Sequence, residues 1–337
     1  MRAMVLAAGY GTRLGPLTKL RPKPMMPVCG APLVRWAMRW LAHHGVRDIV
    51  INLHHLGEQI EAELGDGSEL GVSITYSPEH GLILGTGGAL RQARQWLDPA
   101  DDDEPIVIVN AKIMLDLDLG AVLAHHREHD AEATMVLRPD PNAERWGSLR
   151  LSEDSRVVEL LKLRHPSAAS VEPGPHLMFT GIHIVQPRFL DRIPPDGEQC
   201  VIRTAYRSLF DEGKGLHGYV HPGYWFEHST PQRYLQGVSN VLAGKAALAH
   251  APTPVQAVDP SAVIAPTATV VPPNSIAADV RIEAGATVGP FAQLGAGAVV
   301  KPGVTVRDAV VWDGVTVDSD LSNAILPATG AEPVTPE

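Results

Sequence analysis

Apolar residues in the first 250 positions follow two alternating patterns. Short runs at 3–8, 48–53, 72–76 and 106–109 have the length and branched aliphatic content of buried strands, and the stretches 32–44, 56–64 and 88–97 repeat their apolar positions at helical spacing. Strands separated by amphipathic helices predict a mostly parallel sheet covered on both faces, with ligands beyond the carboxyl ends of its strands. Further runs at 146–151, 179–185 and 216–221 read as additional strands, and a helical pattern resumes over 231–249. Pro252, Pro254 and Pro260 then mark a stiff connection, because proline cannot continue a helix and restricts the residue before it.

Beyond that connection the period changes to six. Val258, Ile264, Val270, Ile276, Ile282, Val288, Leu294, Val300, Val306 and Trp312 follow one another without a break, and small or aliphatic residues accompany most of them four positions later. A hexad fits neither a helix nor a hairpin. It predicts a parallel β-helix, each hexad forming one flat side of a coil and stacking on the coil below. The stretch resembles the left-handed β-helix of hexapeptide-repeat proteins. The expected organisation is a first domain over 1–250, about three coils of β-helix within 251–326, and a disordered tail over 327–337.

Composition narrows the partners. The 337 residues are 45% hydrophobic and 20% charged, as in globular proteins. A net charge of −10 argues against nucleic acid, whose binding needs clustered Lys and Arg. No apolar run approaches the length of a membrane span and no signal-peptide core is present, so a cytoplasmic location is expected. The two cysteines, Cys29 and Cys200, fit neither a zinc spacing nor a disulfide framework.

The chemistry concentrates in Leu6-Ala7-Ala8-Gly9-Tyr10-Gly11-Thr12-Arg13-Leu14, followed by Arg21-Pro22-Lys23-Pro24-Met25. Glycines directly after a strand let backbone N–H groups approach a phosphate chain, and Arg13 and Lys23 add the opposing charge. The run resembles the signature loop of the sugar-1-phosphate nucleotidyltransferase family, a Rossmann-like α/β fold. Its members join a nucleoside triphosphate to a sugar 1-phosphate and release pyrophosphate. The resemblance covers about residues 1–245. It implies nucleotide binding by Leu6, Ala8, Gly9, Gly11, Thr12 and Arg13, with Gly85 and Thr86 of the run 84–90 at the base and ribose. Sugar contacts would come from Trp146, Gly147, Thr180, Gly181 and Trp225.

The resemblance also implies Mg²⁺ held by two aspartates, and here the chain departs from the pattern. The first aspartate position reads Asn110-Ala111-Lys112, an acid replaced by a base. The second reads Trp225-Phe226-Glu227-His228-Ser229, which leaves Glu227 as the one metal candidate. Arg13, Lys23 and Lys112 are the expected catalytic residues, with the Lys112 ammonium standing in for a cation at the phosphate. The leading reading is nucleotidyl transfer to a hexose 1-phosphate. The alternative is a nucleotide-sugar sensor or regulatory subunit that binds without turnover, and an acyltransferase acting through the β-helix is weaker still. Self-association through the β-helix is expected. His125 and His129, four apart with no third ligand in view, read as a solvated helix face.

Overall fold

The computed structural model describes residues 1–98, 104–168, 170, 172–251 and 254–336, with backbone alone at 145, 146 and 167. Pro252 of the expected connection lies outside the described residues. The chain forms two compact units, and the division does not fall at 251. One unit comprises Met1–Gly9, Ala37–Ala111 and Leu117–Gly223, and the other Tyr10–Trp36, Lys112–Asp116 and Tyr224–Glu337.

The first unit is built on a seven-stranded sheet in the order Leu216–Val220, Ala133–Pro139, Leu177–Val185, Ile106–Asn110, Arg2–Leu6, Asp48–Leu53, Ser73–Pro78. Every pairing is parallel except the two made by Leu177–Val185. The central strands carry Met4, Val5, Val107, Ile108 and Val109 with almost no exposure, so both sheet faces are covered as predicted for a parallel arrangement. The helix Gly85–Leu97 buries Ala89, Leu90, Ala93 and Leu97, at helical spacing, in a cluster with Met4, Ile106 and Ile108. The strand expected over 146–151 is much shorter: Ala143–Trp146 is a 3-10 turn and only Arg150–Leu151 extends, because Gly147 between them adopts φ +84.

The second unit explains why the division avoids residue 251. Leu14, Leu17, Met26, Val28, Trp36, Tyr234 and Val238 form one buried cluster with the aliphatic rows of the C-terminal segment. Its elements include a short hairpin of Pro27–Val28 and Ala31–Pro32, the antiparallel pair Ile113–Leu115 with Trp225–Glu227, and the helix Pro231–Leu242. Thr230 caps that helix by accepting from the Arg233 N–H at 3.1 Å. The helix ends earlier than its periodicity suggested, since Gly244 at φ +71 follows it.

From Val258 onward the segment is a parallel β-helix. Successive coils pair Val263 with Arg281, Arg281 with Val299 and Val299 with Thr316, which makes four levels rather than three. Each coil takes 17 or 18 residues, so the span 263–316 already holds four levels, and the coil continues past 317 to Leu321–Leu326, paired with Thr305–Val311. The hexad row holds through Val306 and then slips by one residue, so that Leu294 stacks on Val311 instead of Trp312. Asp308 at φ +47 lies in the shortened side. Residues 327–336, expected to be disordered, fold back, with Val334 and Ile325 exchanging backbone hydrogen bonds of 2.8 and 2.9 Å.

Candidate functional site

Three cationic side chains of the second unit meet around one carboxylate. The loop after Gly9 turns through Gly11 at φ +67 into a 3-10 turn, Thr12–Leu14. A Cβ on Gly11 would lie 3.0 Å from Thr18 and 3.2 Å from Lys23, so only glycine lets the loop close onto Lys23. Lys23 opens the turn Lys23–Met25 and is 8% exposed. The strand pair sets Glu227 opposite Ile113, and the His228 N–H donates to the Lys112 carbonyl, which places Lys112 beside Glu227. Its ammonium stands 2.6 Å from the Glu227 Oε1, and Arg13 Nη2 lies 3.6 Å from the same oxygen.

The electrostatics follow from this crowding. Burial, the Lys112 ammonium and Arg13 together push the Lys23 ammonium down to about 8, with Glu227 opposing. Burial works against the Glu227 carboxylate, yet Lys112, Arg13 and Lys23 outweigh it and hold its carboxyl below the ordinary range. Three cations around one anion leave a net positive site suited to a polyanion. A magnesium ion does not fit these residues. Mg²⁺ needs oxygen ligands free to face it, and Glu227 is engaged by an ammonium at hydrogen-bond distance. Among the described residues no group of three His, Cys, Asp or Glu is disposed to hold a metal ion.

In the first unit, sequence reading missed the residues that tie two glycine turns together. The Ala7 N–H donates to the Asn52 side-chain oxygen at 2.8 Å, and the Asn52 amide donates to Glu79 at 2.7 Å. The other Glu79 oxygen accepts the Leu84 N–H at 2.7 Å, just before the helix Gly85–Leu97. Asn52 and Glu79 are each 4% exposed, so this relay is internal structure. Leu6 is half-buried, Ala8 buried, and Gly9 exposed with open space where a Cβ would stand. Gly85 at φ +69 backs onto the Gln199 carbonyl, which also accepts the Gly87 N–H at 2.7 Å. The Thr86 hydroxyl oxygen accepts the Val201 N–H at 3.0 Å. Part of what reads as a nucleotide turn therefore holds residues 199–201.

The sugar positions divide similarly. Thr180 is buried and its hydroxyl donates to the Val136 carbonyl at 2.7 Å, so that group faces the sheet and not a ligand. Gly181 has a different reason to be glycine: a Cβ there would fall 2.1 Å from the Asn110 side-chain amide. Gly147 is half-buried, the Trp146 side chain lies outside the described residues, and Trp225 is 8% exposed in its strand. His125 and His129 are not a solvated face. With His217, brought alongside by its strand, they surround the Ser155 hydroxyl at 3.4, 3.2 and 3.5 Å.

Comparison with known proteins places this arrangement. Residues 2–244 match the family described as nucleotidyl transferase. The chain is 30% identical over 246 residues to a mannose-1-phosphate guanylyltransferase of Mycobacterium tuberculosis, and 30% identical over 254 residues to a UTP–glucose-1-phosphate uridylyltransferase of Synechocystis. Each match covers 72% of this chain but only 65% and 64% of those relatives. An N-acetylmuramate α-1-phosphate uridylyltransferase of Neisseria meningitidis is 35% identical over 248 residues, which is 72% of this chain and 99% of that one. A solved structure from Bacillus anthracis, described as a glucose-1-phosphate thymidylyltransferase with sucrose, shares the fold with a TM-score of 0.59 at 23% identity, over 71% of this chain and 94% of that one. The match extends from the first strand through the helix Pro231–Leu242, taking in both the glycine loop and the strand pair that carries Lys112 and Glu227, and so this chain belongs to the nucleotidyl transferase family.

Proposed function

We propose that this chain transfers a nucleotidyl group from a nucleoside triphosphate to a hexose 1-phosphate. A phosphate oxygen of the sugar attacks the α-phosphorus, the bond to the bridging oxygen breaks, and pyrophosphate leaves. The observation that carries the reading is the gathering of Arg13, Lys23 and Lys112 around Glu227 next to a glycine loop. Phosphoryl chemistry depends mainly on positioning and charge stabilisation, which fixed cations supply. In this reading the triphosphate draws Lys112 and Arg13 away from Glu227, and Lys112 neutralises the charge that family relatives are expected to meet with metal. Leu6, Ala8, Gly9, Gly11, Thr12, Gly85 and Thr86 line the nucleotide through backbone groups. Gly147, Gly181 and Trp225 serve the sugar. The named relatives act on mannose, glucose and N-acetylmuramate phosphates, and the sugar here is proposed from that class. Self-association is proposed through the first coil of the β-helix, where Val258, Val263 and Ile264 are 41, 62 and 37% exposed.

Pyrophosphate release measured over a panel of nucleoside triphosphates and hexose 1-phosphates, with Mg²⁺ and with EDTA, tests the reading. Wild type should turn over in EDTA, and Lys112→Ala should lose turnover. Lys112→Asp should make activity require Mg²⁺. Arg13→Ala should weaken triphosphate binding by about 1.5–3 kcal/mol, the range for a hydrogen bond to a charged group. A wild type that binds a nucleotide sugar but never turns over would establish the sensor instead. One that binds no nucleotide at all ends both readings.

A further inference from the structure

We propose that Gln293 of the β-helix is a positioning residue for the phosphate loop: its side-chain amide clamps the Pro27–Cys29 backbone and thereby holds Lys23 in place. The proposal rests on the nucleotide-binding reading of that loop.

Gln293 lies in the strand Ala292–Leu294, whose flanking residues Ala292 and Leu294 are fully buried inside the coil. Alternation points Gln293 outward, where a glutamine would ordinarily meet water. It is instead 3% exposed. Its Oε1 accepts the Cys29 N–H at 2.7 Å and its Nε2 donates to the Pro27 carbonyl at 3.0 Å. A carbonyl and an N–H two residues apart are what one strand offers a neighbour along an edge, so the side-chain amide pairs with the loop as a peptide group would. The Tyr234 hydroxyl donates to the same Pro27 carbonyl at 2.6 Å. At the other end of the segment Arg21 pairs with Asp313 at 3.1 Å and lies 4.7 Å over the Trp312 ring.

Lys23 stands between these two anchors, and its neighbours give the anchors a purpose. Lys112 and Arg13 repel it, and a free loop would relieve that repulsion by swinging the ammonium into water. The backbone cannot swing while it is pinned at both ends. Between the anchors it is also continuous in hydrogen bonds, from Met25 N–H to Pro22 and from Met26 N–H to Lys23. Cys29, whose N–H the clamp holds, is 6% exposed, whereas Cys200 is exposed. Burial also pushes the Cys29 thiol up, which leaves it inert until the turn opens.

Those two thiols make a test on the full chain. Wild type, Gln293→Ala and Gln293→Glu are treated with a chromogenic thiol reagent, and nucleoside triphosphate affinity, kcat and KM are measured on the same samples. Glutamate keeps an acceptor for Cys29 but faces the Pro27 carbonyl with a carboxylate oxygen, so it breaks the clamp with little loss of volume if the alanine variant folds poorly. In wild type only Cys200 should react quickly. In both variants Cys29 labelling should accelerate about tenfold or more, as expected for a locally opened segment. Triphosphate affinity should fall, and kcat should drop about 10- to 100-fold, the cost of small misplacement, with KM for the hexose phosphate little changed. Unchanged Cys29 labelling would overturn the clamp. Accelerated labelling with wild-type kcat and triphosphate affinity would overturn the positioning role. If wild type neither binds nor turns over any nucleotide, the proposed function fails and with it the role of the clamp, even where labelling shows that the clamp exists.

Discussion

The charge on Lys23 is set by burial and by its neighbours. A lysine 8% exposed and flanked by two other cations is costly to keep charged, which is why its ammonium falls to about 8. A bound triphosphate reverses that balance by supplying the anion the ammonium lacks. In the free protein the charge is present below about pH 8 and lost above it. Triphosphate affinity measured by calorimetry should therefore decline as pH rises from 7 to 9 in wild type, and Lys23→Arg should remove the decline because guanidinium stays protonated. An affinity flat over that range in wild type would show that Lys23 is not a principal contact. Glu227 teaches the complementary lesson. Its chemistry as a metal candidate was plausible from residue type alone, and a single neighbour, Lys112 at 2.6 Å, changes it into the counter-ion of a cation cluster.

At the scale of elements, the β-helix has two distinct faces. One packs on the loop 21–32, through Gln293, Trp312 and Asp313, and lies inside a continuous core. Its first coil is different. Among the described residues Val263 and Ile264 have a paired strand on one side only, and both are exposed. An open strand edge carrying aliphatic residues favours association with another copy. Static light scattering should show an oligomer at micromolar concentration, and a Val263→Glu, Ile264→Glu double variant should shift it towards monomer without changing the secondary-structure spectrum. A monomeric wild type would remove the assembly role and leave the loop-bracing role untouched. The hexads at 258–306 make this element legible in the sequence, since a period of six in aliphatic residues has one common structural meaning. The slip after Val306 was not legible, because Trp312 is as apolar as Val311 and only the stacking partner of Leu294 distinguishes them.

For the whole molecule, the buried histidines set its response to acid. Burial pushes His126 down to about 4, and His183 and His228 to about 3, so all three are neutral in the folded chain near pH 7. An unfolded histidine takes up its proton near 6.5. Between these values the unfolded state binds more protons, so stability is full above about pH 6.5 and falls as pH drops towards 4. Each such group costs about 3 kcal/mol at pH 4. His228 is the most informative, since neither ring nitrogen has a hydrogen-bond partner among the described residues. Urea unfolding from pH 7 to 4 should show a steep loss in wild type and a shallower one in His228→Leu. Equal slopes would mean that His228 reaches a hydrogen-bond acceptor or water in the folded state.

The sequence by itself determined the α/β class, the parallel sheet, the hexad coil and the glycine loop, because each is written in local periodicity or in contiguous residues that share one backbone requirement. Asp48–Leu53 and Gly57–Leu64 show how closely such patterns fix an element. Tertiary structure alone decided which distant side chains meet. Nothing near Gln293 in the chain distinguishes it from a solvated outward residue, and its role exists only because the turn at Pro27–Cys29 is folded against it. The Asn52–Glu79 relay, the third histidine at Ser155 and the pairing of Lys112 with Glu227 have the same origin. Burial removes water as the competing partner, and a polar group then takes its character from whichever neighbours the fold supplies.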